Sequence, residues 1–335
     1  MTDSIDQFLP ISTKEGWSRF VSDDPPQPPK ISHAEREAQT AVERESYDNC
    51  RRRFMTSGIV RTPAFDKILI SASSRLRMNE FKYTGKLGLI VSGEPALGKT
   101  TTVTQIGKLH TLRRQHQDHS AGQPGCIPVV YITVPPACGP KAMIAEFAEF
   151  FGLPTNGRIS QSTLLNTVSQ VMARVRTELV IVDEIHNLNV NYRMSADASD
   201  ALKQLSEKSA ATFIYAGVNV ESSGLLDGAR GKQISSRFEL HRVVPFGNLS
   251  TKHRDEWQAV LLGLEQTLCL TRQRDGDILA HSARLFADTG GSIGRLVDTL
   301  HLAALTAIDD HSERLMLAPD TATRVKKDPT LATAS

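Results

Sequence analysis

The octapeptide GEPALGKT, Gly93 to Thr100, constrains this chain more than any other stretch. It is a full GxxxxGKT pattern set directly after the apolar run LGLIVSG and directly before TTVTQIGKLHTLRRQ, which has helical character. A strand that enters such a loop and a helix that leaves it form a phosphate cradle. The glycines let the backbone turn its N–H groups onto phosphate oxygens, Lys99 reaches the β- and γ-phosphates, and the Thr100 hydroxyl joins a Mg²⁺ shell at the helix N-terminus. Gly93, Glu94, Pro95, Ala96, Leu97, Gly98, Lys99, Thr100 and Thr101 are therefore candidate nucleotide-binding residues. An ordinary glycine loop is the bland alternative, and the flanking strand and helix count against it.

A second motif supplies the partner chemistry. LVIVDEIH, Leu179 to His186, is an apolar strand that delivers two adjacent acids to its end. Asp183 can hold Mg²⁺ through water, and Glu184 can polarise a water for attack on a γ-phosphate. Two acids after a strand often only cap the next helix, but the upstream phosphate loop favours the chemical reading. His186 reads as a polar residue packed at the helix start rather than a general base.

The remaining pattern places these motifs in a fold. LGLIVSG, PVVYITV, LVIVD and TFIYAG are short, continuously apolar and rich in β-branched residues, and the segments between them are long enough for crossover helices. Strands of this kind suit a parallel sheet covered on both faces, so the fold class is α/β. After Pro245 the strands stop, and residues 251–263, 274–289 and 292–309 read as helices of a small C-terminal subdomain. TFIYAGVN ends in Asn219, which would lie near the γ-phosphate and orient water if its strand neighbours LVIVD; a plain turn asparagine is the alternative. Arg237, in QISSRFELHRVVPF, can reach a neighbouring subunit's phosphates or make an intramolecular salt bridge, with Arg230 a weaker second finger candidate. Arg295, in GGSIGRLVDTLHLA, can fold over bound nucleotide and couple occupancy to the angle of the C-terminal subdomain.

The chain ends read differently. Residues 1–35 hold the proline cluster DDPPQPP and few apolar residues, and read as a flexible arm. Residues 36–61 read as an exposed helical linker whose Arg51, Arg52 and Arg53 are a solvated face or a contact for phosphate or an acidic partner. Residues 62–247 are the α/β nucleotide-binding domain, 248–318 the helical lid, and 319–335 a flexible polar tail. A formal charge of +2 excludes a polycationic nucleic-acid wrapper as the whole account, and leaves room for a local basic surface. Cys50, Cys126, Cys138 and Cys269 show neither a CxxC pair nor a matching histidine spacing, so no zinc site or disulfide framework is indicated. No signal peptide or membrane span is expected, and a reducing cytoplasm fits.

Taken in order and spacing, GEPALGKT, LVIVDEIH, the polar strand end at Asn219, SRF at Arg237 and GGSIGR at Arg295 resemble the AAA+ ATPases over about residues 65–307. Within them, DEIHNL followed by a helix, YAGVN, Gln233 with SSRFE, and VVPF look like the TniB and TnsC type of transposition ATPase, related to MuB. VPPACGPKAMIAEFAEFFGLP is similar to that group's proline-containing loop and following helix. The resemblance implies an ATP- and Mg²⁺-dependent regulator that forms a homo-oligomeric ring or filament on double-stranded DNA without sequence specificity, and recruits a transposase. It makes Lys141, Arg158, Arg193 and Lys203 candidate DNA contacts, each equally readable as part of a solvated face. Aromatic residues total 6%, which argues against a surface built from base-stacking platforms. Two other readings stay open: a nucleotide-gated protein-interaction switch that never touches DNA, and a clamp-loader or initiator-like replication factor.

Overall fold

The computed structural model describes residues 9–117, 125–155, 157–188, 193–224, 226 and 235–317, with the side chains of 193–198 outside the described set. Arg230, Gln233, the side chain of Arg193, residue 318 and the tail 319–335 therefore lie outside the described residues.

Five strands carry the core: β1 (Gly88–Ser92), β2 (Val129–Thr133), β3 (Leu179–Asp183), β4 (Thr212–Gly217) and β5 (Phe238–Arg242). They form one parallel sheet in the order β2-β3-β4-β1-β5. Every residue of β1, β3 and β4 is buried, as continuous apolar runs require when helices cover both faces. The helices on the sheet are α4 (Pro63–Asn79), α5 (Lys99–Gln117), α6 (Pro140–Phe150), α7 (Gln161–Arg174) and α8 (Arg193–Lys208). The starts of α4 and α7 are local in origin. Thr62 accepts from Phe65 N–H with Pro63 in the first turn, and Ser160 accepts from Thr163 N–H.

A second hydrophobic cluster forms the lid, from α9 (Thr251–Leu268), α10 (Ser282–Thr289) and α11 (Ile293–Asp309). The stretch 274–289, expected as one helix, is a 3₁₀ turn over Asp277–His281 followed by α10.

The N-terminal expectations need correction. Residues Lys14–Ser22 form a helix, α1, whose Trp17 and Val21, four apart, fall on one face and are buried against the sheet domain. Two apolar side chains at the right spacing suffice to dock a segment whose composition reads as unstructured. The linker is likewise built into the lid. It contains α2 (His33–Glu37) and α3 (Ala41–Ser57), and Met55 of α3 is fully buried among Trp257, Leu261 and Leu296.

Arg51, expected at a solvated face or a partner contact, is instead fully buried. It donates to Glu313 at 2.7 and 2.9 Å and pairs with Asp48, while Arg36 pairs with Asp48 at 2.9 Å and Glu313 at 3.0 Å. Burial pushes the Glu313 carboxyl up, but the bonds from Arg51 and Thr271 N–H and the charges of Arg51 and Arg36 outweigh it and hold it below the ordinary range. Asp48 is held low by the same two guanidinium groups against the same burial. Two cations and two anions thus join α2 and α3 to the segment after α11. Arg52 and Arg53 pair with Asp309 and Asp23.

Candidate nucleotide site

The phosphate loop leaves β1 at the C-terminal edge of the sheet. Gly93 passes so close to β5 that a Cβ there would sit 2.3 Å from the Val243 carbonyl oxygen, and Gly98 has φ +76, so both positions require glycine. Ala96 also takes a left-handed conformation, φ 61. Its carbonyl oxygen accepts from the Ser292 hydroxyl and from Gly294 N–H, each at 2.8 Å. The lid helix α11 therefore docks its first turn on the loop, and Gly294 is required there because a Cβ would lie 2.6 Å from that oxygen. Glu94, Pro95, Ala96, Thr100 and Thr101 are exposed, whereas the Leu97 side chain is buried in the core, so only its backbone can meet a phosphate.

Lys99 opens α5 with its ammonium nearly buried, donating to the Glu94 carbonyl at 2.7 Å. Burial pushes its pKa down, and the charges of Glu184 and Asp183 pull it back up. The three groups thus lie near enough for their charges to act on one another at the same edge of the sheet. Asp183 is buried at the end of β3, where its Oδ1 accepts from Glu184 N–H at 2.8 Å and its Oδ2 from the Tyr131 hydroxyl at 3.0 Å. Burial, with the Asp183 charge behind it, raises the Tyr131 pKa, so the phenol stays a donor. Glu184 sits at φ 55, turning the chain sharply after the strand. His186 Nδ1 lies 3.2 Å from Glu184 Oε2 and 3.2 Å from Val218 N. Val218 N–H donates to His186 Nδ1.

β4 lies between β1 and β3, so the neighbour relation on which the Asn219 reading depends is present. Asn219 follows β4 in a left-handed conformation, φ 43, and is exposed on the same edge as the phosphate loop and Asp183. Its turn is fixed from below. Val220 N–H donates to Ser92 Oγ at 2.9 Å, the Ser92 hydroxyl bonds Glu221, and Arg242 donates to Glu221 at 2.8 Å. Arg295 is exposed in the first turn of α11.

Arg237 stands apart. It precedes β5, whose first residue pairs with Gly88 at the start of β1, which places it on the opposite edge of the sheet from Lys99. Five residues of strand separate the two edges, a span of about 15 Å, so the side chain cannot reach the cleft of its own chain. It forms the intramolecular ion pair of the alternative reading, with Glu207 at 3.9 Å, both side chains about half exposed and the distance too long for a hydrogen bond. Of the other cations, Lys141 donates to the Gly157 carbonyl at 3.1 Å, Arg158 is exposed and Lys203 is half-buried.

A cavity of about 710 Å³ continues from the phosphate loop. Gly98, Thr100 and Thr101 line one end, Ile59, Val60 and Thr62 lie before α4, and Leu264, Val297, Asp298 and His301 come from the lid. The volume suits a ligand of nucleotide size. Val297, Asp298 and His301 belong to the stretch GGSIGRLVDTLHLA that carries Arg295, whereas Ile59, Val60, Thr62 and Leu264 belong to no sequence motif and are gathered by chain topology.

The donor set fits a hydrated Mg²⁺. Each Asp183 oxygen keeps a free lone pair beyond its one hydrogen bond, and Thr100 offers an exposed hydroxyl. Among the described residues no cluster of three or more His, Cys, Asp or Glu forms a self-sufficient metal cage, so such an ion would depend on phosphate oxygens and water for its remaining ligands.

A parallel sheet of this order, with a phosphate loop after β1, acids after β3 and a helical lid, defines the P-loop ATPase fold of AAA+ type. The family model for the bacterial TniB protein matches residues 59–248, more than half of the chain, and the chain belongs to the TniB family. Solved structures share the fold. They include the Aeropyrum pernix ORC1 protein in complex with DNA (16% identity, TM-score 0.57, covering 79% of this chain and 66% of that one). Cdc6p from Pyrobaculum aerophilum is similar at 17% identity and TM-score 0.52, covering 78% and 67%. The ADP form of the Aeropyrum pernix ORC2 protein is similar at 16% identity and TM-score 0.51, covering 89% and 69%. The chain thus spans about two thirds of the length of these structures. No curated protein matches. Among the described residues no helix is long and apolar enough to cross a membrane.

Proposed function

We propose that this chain hydrolyses ATP and uses nucleotide state to govern its assembly on duplex DNA, where it recruits or activates a transposase. The observation that carries the reading is the grouping of Lys99, Asp183 and Glu184 at one sheet edge in a chain of the TniB family.

The triphosphate lies on the loop from Gly93 to Gly98, with Lys99 on its β- and γ-phosphates and its base and sugar in the cavity beneath the lid. Thr100 and Asp183 would hold Mg²⁺, which neutralises charge on the phosphate oxygens. Glu184 takes a proton from the attacking water, and Asn219 orients that water. Arg295 senses nucleotide from the lid. Arg237 faces away from its own cleft, which supports a role at the cleft of a second copy. Tyr83, fully exposed, lines the same hollow as Arg237 and adds an aromatic anchor to that edge. A homo-oligomer built this way, ring or filament, forms only while the γ-phosphate is present to be contacted. A few cations repeated in each subunit then suffice for non-specific binding to duplex phosphates.

The test is binding of the purified protein to a fluorescent random-sequence duplex with ATP, ADP or a non-hydrolysable ATP analogue at two salt concentrations, with light scattering for assembly. Salt-sensitive binding and growth with the ATP forms alone are expected. Hydrolysis with no response to DNA under any nucleotide would overturn the DNA-assembling reading and favour a protein-directed switch.

A further inference from the structure

We infer that α1 and the turn before it form the outer wall of the base-and-sugar end of the nucleotide cavity, and that this wall sets how long nucleotide stays bound. The inference rests on the nucleotide reading above and assigns a role to the N-terminal segment.

Ile11, Phe20 and Asp23 line the cavity together with Thr104, Gln105 and Lys108 of α5. Phe20 and Ile11 supply apolar surface beside Thr104 and Lys108, about one and two helical turns along α5 from Thr100 at the phosphate loop, as a nucleobase requires. The segment is held at both ends of the helix. At its C-terminus, Lys108 donates to the Asp23 carbonyl at 2.6 Å while its ammonium lies 5.4 Å from the Phe20 ring centre, and Arg53 of α3 meets the Asp23 carboxylate at 2.5 Å. In its first half, Trp17 stacks on Tyr131 with ring centres 5.9 Å apart and planes within 13°. Gly107 of α5 lets the indole lie flat, since a Cβ there would sit 2.7 Å from Trp17.

Tyr131 is the donor to Asp183, so the helix that walls the base end also braces the residue that holds the acid at the phosphate end. A nucleotide leaving base-first must displace either this wall or the lid. The lid is tied to the phosphate loop through Ala96, and the wall is tied to α5 through Lys108. The wall therefore contributes to residence time without touching the reacting phosphate.

The experiment measures release of radiolabelled ADP from the full chain after a chase with unlabelled ADP, for wild type, Phe20→Ala, Ile11→Ala and Lys108→Met. Competition by unlabelled GDP reports base preference. About tenfold faster release in Phe20→Ala is expected, with smaller increases in the other two and a reduced preference for adenine over guanine in Phe20→Ala and Ile11→Ala. Unliganded melting midpoints report whether each variant folds, and should Phe20→Ala fail, the half-buried Ile11→Ala and Lys108→Met carry the test. Wild-type release rates in folded Ile11→Ala and Lys108→Met would overturn the inference. Failure of the nucleotide reading looks different: the wild type would bind no ADP, or Lys99→Ala would bind it equally well.

Discussion

The sheet domain and the lid solve the same problem, burial of an apolar core, by opposite means. The sheet is locally specified: β1 to β4 are short runs of mainly apolar residues, and only the edge strand β5, FELHR, carries charged groups along its length. The lid is assembled from both ends of the chain, with α3 filling the core made by α9 and α11, and it buries two arginines and two acids to do so. A buried ion network adds little net stability over an apolar core of the same volume, but it is costly to break and it accepts only one partner set. The contrast suggests that the lid's charges specify which end of the chain joins it, while the sheet's charges are reserved for the ligand.

That contrast can be broken from either side. Glu184→Gln is expected to lower ATP turnover about 10²–10⁴-fold while nucleotide binding and the melting midpoint stay near wild type, because the removed charge is a half-exposed edge group with a chemical task. Steady-state turnover beside calorimetric binding checks it, and equal loss of both would remove Glu184 as the base. Glu313→Ala should do the reverse in kind. It leaves Arg36 and Arg51 buried without their shared acid and destabilises the fold by about 3–5 kcal/mol, read as a fall in the urea midpoint.

The same network predicts an acid dependence whose sign follows from its pKa values. Asp48 and Glu313 are held below their ordinary values in the fold, so their contribution is present above the unfolded-state values and is lost as pH falls through the folded ones. Stability should therefore drop below about pH 4, and the drop should be shallower in Glu313→Ala. A denaturation series in pH distinguishes the two, and identical slopes would mean that the network carries no linkage.

Smaller effects refine the comparison. Tyr131→Phe removes one hydrogen bond to Asp183 and should cost about 1 kcal/mol of stability with a weaker response to Mg²⁺, measured as the metal concentration for half-maximal turnover. Ser292→Ala removes one of the two donors on Ala96 and should weaken nucleotide binding by a comparable or smaller amount. A change in melting alone, with nucleotide affinity intact, would separate the lid contact from the site.

What was legible in the sequence follows the same division. Four of the five strands, the phosphate loop, Asp183 and Glu184 are visible because each is a contiguous pattern with a local physical reason, whereas β5, FELHR at the sheet edge, has no apolar run to mark it. Arg51 was opaque because its neighbours Arg52 and Arg53 suggest a charged surface, and its acids lie three and 262 residues away. The docking of α1 was hidden behind prolines, since its apolar spacing spans barely one turn. Tyr131 offered only the weak cue of a hydroxyl inside an apolar strand, which must find an acceptor when buried. The cavity wall from Ile59, Val60 and Leu264 has no linear signature at all.

The capping of Ala96 by the first turn of α11 has a mechanical consequence. The helix runs for 17 residues from that contact, about 25 Å at 1.5 Å per residue. Because α11 is packed into the lid along its length and its Asp309 pairs with Arg52, a tilt of about 10° at the loop would carry the lid with it and shift this far end by about 4 Å. On the proposed ATPase reading, a peptide plane that reorients as the γ-phosphate departs would move a fulcrum. The displacement would be felt most at Asp309, beside the junction where α2 and α3 meet the segment after α11.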